Sequence, residues 1–60
     1  MLDYTIKNAK LIAKQITYFA IHSDTPHETV IKLLNLLPEM ENDFKTEIIY
    51  YTLTEFNDNN

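Results

Sequence analysis

His22, Asp24, His27 and Glu28 fall in one short stretch and bring together two imidazoles and two carboxylates, the donor types of a zinc or nickel site. Such a site needs about four ligands held in tetrahedral geometry, and the spacing here matches no recognised ligand pattern. His27 and Glu28 begin as H-E-x-x-H begins, but Ile31 stands where the second histidine would be. Glu28 also has a second use, in capping a helix. The stretch therefore reads as a hydrophilic turn, and no metal or cofactor is expected.

Two further groups carry charge at regular spacing. Glu39, Asp43 and Glu47 follow one another at four-residue steps, with Glu41 among them. On one side of a helix they form an acidic face that could dock on a basic partner or stand in for nucleic-acid phosphates. Carboxylates early in a helix also meet the positive end of its dipole, and a solvated face is the favoured reading of them. They lack the central glycine and alternating Asp or Asn of a calcium loop. Paired-carboxylate hydrolysis needs a cleft between the acids, which so small a chain hardly offers, and the expectation is a protein that is not an enzyme. Lys7, Lys10 and Lys14 form the opposite group, a basic stripe. Three lysines without arginine on a chain of net charge −4 would neutralise few phosphates. Nucleic acid is thus the alternative partner, met through the lysine stripe or mimicked by the acids, and not the leading one.

The elements that position these groups follow from length and pattern. Sixty residues make one domain. A core of that size supplies only about 3 to 5 kcal/mol, and such chains often rely on disulfides, metals or partner chains. There is no cysteine, so disulfides are excluded. The opening MLDYTIKNAK lacks the charged-then-apolar order of a secretory signal, and no apolar run approaches the length of a membrane span, so a cytoplasmic location is expected. Charge is divided along the chain: residues 1–22 hold three lysines and one acid, residues 23–60 two lysines and eight acids. The first part is basic and the second acidic, a difference that selects orientation when the two pack together.

Apolar residues recur every three or four positions through Leu2, Ile6, Ala9, Ile12, Ala13, Ile16, Phe19 and Ala20, which predicts a first amphipathic helix over about 3–22. In Thr25-Pro26-His27-Glu28 the threonine hydroxyl and the glutamate carboxylate have the spacing of a capping box, and Pro26 suits the first helical position. A second helix is expected over 26–37. Its Val30, Ile31, Leu33, Leu34, Leu36 and Leu37 surround more than half of its circumference, so both long helices should cover it. Pro38 ends or kinks that helix, and a sharp bend should lead straight into a third helix over 39–56, with a frayed tail at 57–60. Met40, Phe44, Ile48 and Tyr51 make one apolar face of the third helix.

Both long helices retain a second apolar flank. Tyr4, Leu11 and Tyr18 repeat every seven residues outside the main face of the first helix. Ile49, Leu53 and Phe56 form the extra flank of the third, with Tyr50 beside them. Phe19 and Tyr51 are expected in the core, whereas Tyr18 and Tyr50 suit an interface, because aromatic side chains bury much area while freezing few rotors. The reading is an all-α, three-helix unit that assembles as a homodimeric bundle. It implies a small acidic protein-binding regulator, an inhibitor or adaptor, whose partners are a second copy of itself and another protein.

Overall fold

A computed structural model describes residues 5–58. Among them it contains three helices, α1 (Ile6–Ile21), α2 (Pro26–Asn35) and α3 (Asn42–Asp58). Neighbouring positions on α1 and α3 fix how these two run. Ile6 of α1 lies with Asp43 and Glu47, Lys10 lies over Tyr51, and Lys14 lies with Thr54 and Asp58. Positions rise together, so α1 and α3 are parallel neighbours. The chain between them must return, and α2 runs back along α1. α1 packs extensively on α3 and less so on α2, while α2 and α3 meet only marginally. The spatially central element is therefore α1, not α2 as the leucine-rich pattern predicted.

The ends of the helices differ from expectation for identifiable reasons. Thr5 lies outside α1 as its N-cap, with extended backbone (φ −108°, ψ 157°), and its Oγ1 accepts from the Asn8 N–H at 3.2 Å. At the other end the Ser23 hydroxyl donates to the Ala20 carbonyl at 2.7 Å, and the Ser23 N–H does so at 3.1 Å. Satisfying these carbonyls needs no left-handed residue, which is how a chain without glycine closes this helix.

Pro26 does open α2, but the capping box does not form. Thr25 makes no side-chain cap; its hydroxyl instead lies 3.3 Å from that of Thr29, and its carbonyl takes the Thr29 N–H at 2.8 Å. α2 then ends at Asn35 rather than Leu37 in a tightened turn, where the Leu36 N–H reaches the Leu33 carbonyl at 3.2 Å and the Leu37 N–H that of Leu34 at 3.4 Å. The expected sharp bend is instead a non-helical segment over 36–41. Pro38 and the restriction it places on Leu37 stop α2, and helical bonding resumes only where the Lys45 N–H meets the Glu41 carbonyl at 3.0 Å. α3 consequently starts at Asn42, not 39, and continues through Asp58, past the expected end at 56.

The core lies on the inner side of α1. Ala9, Ala13 and Ala20 are wholly enclosed, and their small side chains let neighbouring helices approach the α1 backbone. Ile16, Val30, Phe44, Ile48 and Phe56 fill the space around them, with Ile12, Leu33, Leu34, Leu37, Met40 and Tyr51 packed partly buried at its edge. Buried Thr52 donates to the Ile48 carbonyl at 2.6 Å, and Thr17 reaches the Thr52 carbonyl at 3.4 Å, so both hydroxyls are satisfied inside the core. On α3 the enclosed positions Phe44, Ile48, Thr52 and Phe56 recur every four residues. That places Phe56 in the core, where a partner cannot reach it, and corrects its assignment to the outer flank.

α2 is far less covered than its composition implied. Of its apolar residues only Val30 is buried, and Ile31 and Leu36 remain 59% and 71% exposed. Phe19 likewise lies at the surface, 63% exposed, rather than in the core. Among the described residues no helix is long and apolar enough to cross a membrane.

Candidate protein-binding face

The open side of the α1/α3 pair brings together Leu11, Tyr18, Asp43, Glu47 and Tyr50 of the residues singled out by the sequence. The hollows along this seam are formed by α1, α3 and residues flanking them, with no α2 side chain in their walls. One, of about 350 Å³, is bounded by Lys10, Lys14, Tyr51, Thr54, Glu55 and Asp58. Another, of about 220 Å³, has Thr5, Ile6, Glu41, Asp43, Phe44 and Glu47 in its walls. Shallow and open, they offer relief for a macromolecular surface rather than an enclosed chamber for a small molecule.

Two strips border the seam. On α1, Lys7, Leu11, Lys14 and Tyr18 are all exposed, Leu11 by 56% and Tyr18 by 61%. Their spacing of four, three and four residues keeps them on one side of a helix. Asp43, Glu47, Tyr50 and Thr54 repeat the same spacing on α3, with Tyr50 62% exposed. Tyr4, the third member of the expected α1 ridge, lies outside the described residues. Ile49 is half-buried and Leu53 43% exposed, both on the other side of α3, so the expected outer flank is divided between two faces.

Aromatic contacts stiffen the strips. The Tyr18 ring lies 4.4 Å from that of His22 and 5.9 Å from that of Phe19, measured between centroids. Tyr50 and Tyr51 meet edge to face at 5.3 Å. Lys10 places its ammonium 5.2 Å above the Tyr51 ring, within the range of a cation–π contact. Partial burial first, then the charge of Glu47 and a hydrogen bond donated by the phenol to its carboxylate, raise the Tyr51 pKa above its ordinary value. Tyr51 is accordingly a neutral donor at physiological pH and locks Glu47 in place.

The other charged groups do not assemble as their spacing suggested. Glu39 lies in the segment before α3, so it does not continue a helical row with Asp43 and Glu47. The histidines of the turn separate: His22 lies tilted against Tyr18, while His27 meets Phe56 edge to face at 5.1 Å. Among the described residues no three His, Cys, Asp or Glu side chains come together in a way that could hold a metal ion. The lysines border two hollows of different character: Lys10 and Lys14 share one with Glu55 and Asp58, while Lys7, Lys10 and Lys14 line another with Asn8 and Leu11 and no acid. A phosphate backbone laid in the first would meet carboxylates as well as ammonium groups.

Sequence reasoning missed Phe19 as a surface residue, because its spacing fits the buried face and only the position of α2 leaves it uncovered. It also missed the Lys10–Tyr51 contact, for which the sequence holds no signal. Comparison with known protein families, with characterised proteins and with solved structures returns no match.

Proposed function

We propose that the chain is a small, non-enzymatic protein-binding regulator, an inhibitor or adaptor, that works through the outer face of the α1/α3 pair. The observation that carries this reading is the exposure of Leu11, Tyr18 and Tyr50, each more than half open to solvent on one side of the molecule and interleaved with charged residues. An apolar and aromatic centre with a charged border is the anatomy of a protein interface. Burying these side chains would remove apolar area from water at about 25 cal/mol per Å², which a core this small can use.

Association of the purified chain, with itself or with a captured protein, tests the reading. Leu11→Ser combined with Tyr18→Ser should abolish association while circular dichroism stays helical, because neither side chain supports the core. Unchanged association in that variant would remove this face from consideration.

A further inference from the structure

Charge on the two strips points to a particular occupant. α1 carries three lysines and no acid, whereas α3 carries Asp43, Glu47, Glu55 and Asp58 against Lys45 alone. The helices are thus +3 and −3 and lie side by side on one face. A second copy can meet that face about two kinds of two-fold axis. An axis across the helices would lay α1 on α1 and α3 on α3, like charge on like. An axis along the helices lays α1 of each copy on α3 of the other, opposite on opposite, and satisfies the closed symmetry most soluble dimers adopt.

Resting on the proposed role of this face in protein binding, we propose that its occupant is a second copy of this chain, placed by a two-fold axis parallel to the helices so that α1 of each copy covers α3 of the other. Rotation about such an axis leaves height along the helices unchanged, so the register follows from neighbours within one chain. Ile6 is level with Asp43 and Glu47, Lys10 with Tyr51, and Lys14 with Thr54 and Asp58. Lys7 then lies level with Asp43 and Glu47 of the other copy, Leu11 near its Tyr50, and Lys14 level with its Thr54 and Asp58. Two helices of this length and about 10 Å diameter present a footprint of about 500 Å² per chain, at the lower bound for a specific interface, so the dimer is a weak one.

Charge reversal tests the arrangement. The chain, Lys7→Glu with Lys14→Glu, Asp43→Lys with Asp58→Lys, and the variant carrying all four changes are compared by sedimentation equilibrium up to about 200 µM, a range that resolves micromolar dissociation constants. All four positions are exposed, and circular dichroism checks that each variant is folded. Each double variant should weaken the dimer about tenfold or more, the fourfold variant should restore it, and salt of about 0.5 M should weaken the unaltered dimer. Failure of the fourfold variant to regain the dimer overturns the α1-on-α3 arrangement. A dimer insensitive to every reversal does so too, and leaves the face itself to the Leu11 and Tyr18 substitutions. A chain that stays single throughout the range overturns the second copy as occupant, while binding of a different protein through the same face would still be lost in Leu11→Ser with Tyr18→Ser.

Discussion

α1 and α2 are both rich in apolar residues and are used in opposite ways. α1 contributes three alanines with no exposed surface, and α2 contributes leucines and isoleucine of which much remains open. The difference arises from neighbours rather than from the helices themselves. α1 packs along both other helices, whereas α2 packs along α1 and meets α3 far less, as where His27 lies against Phe56. Apolar content therefore says how much surface a helix could hide, and the arrangement of its neighbours decides how much it does hide.

Substitutions can sharpen that contrast. Ile48→Ala empties a wholly enclosed site and should cost about 2 to 5 kcal/mol, comparable to the entire stability of a chain this size, so urea titration should find the variant largely unfolded before denaturant is added. Leu36→Ala removes the same class of side chain from the end of α2 and should shift stability by no more than about 0.5 kcal/mol. A cost as large as that of Ile48→Ala would mean that α2 is better covered than its exposure indicates. Ala13→Leu forces a branched side chain into the tightest part of α1 and should cost about 1 to 3 kcal/mol by the same titration.

The helix starts provide a smaller contrast. Thr5→Ala removes a hydroxyl that caps α1 and should lower stability by about 1 kcal/mol, whereas Thr25→Ala, at a position with no capping bond, should cost a few tenths. Equal losses in thermal melts would mean that Thr25 caps α2 after all. The smallest effect concerns Tyr51. Its raised pKa means that the folded chain favours the protonated phenol, so this contribution is fully present below the ordinary tyrosine pKa of about 10 and is lost as pH rises through the folded value. Ultraviolet titration should show Tyr51 ionising late, and Glu47→Gln should lower its pKa part of the way, leaving the contribution of burial.

Much of the architecture was legible because it is local. The three-to-four spacing from Ile6 to Ala20, Pro26 at the start of α2 and Pro38 after its end mark helices by rules that need no tertiary contact. The start of α3 was misread because Glu39 and Glu41 have the charge expected of a first helical turn, a preference that carries no position finer than a turn. Thr25 has the right neighbours for a capping box, but its backbone (φ −132°, ψ 74°) turns the hydroxyl towards Thr29. Phe19 and Phe56 exchanged roles for a different reason. Both sit on helices with two apolar flanks, and which flank is covered depends on where the chain returns. The exposed strip of Leu11 and Tyr18 could be read in advance because no choice of return path on the inner side of α1 covers it.

The parallel course of α1 and α3 has a consequence for how the molecule is made. Residues that close the core across this pair stand far apart in the chain, as with Thr17 and Thr52 at a separation of 35. Bringing them together costs loop-closure entropy that the hairpin of α1 and α2 does not incur to the same degree, and such distant pairings slow folding. The hairpin of α1 and α2 closes over nearby contacts, whereas the α1/α3 pair, which holds the buried threonines, carries the larger closure cost.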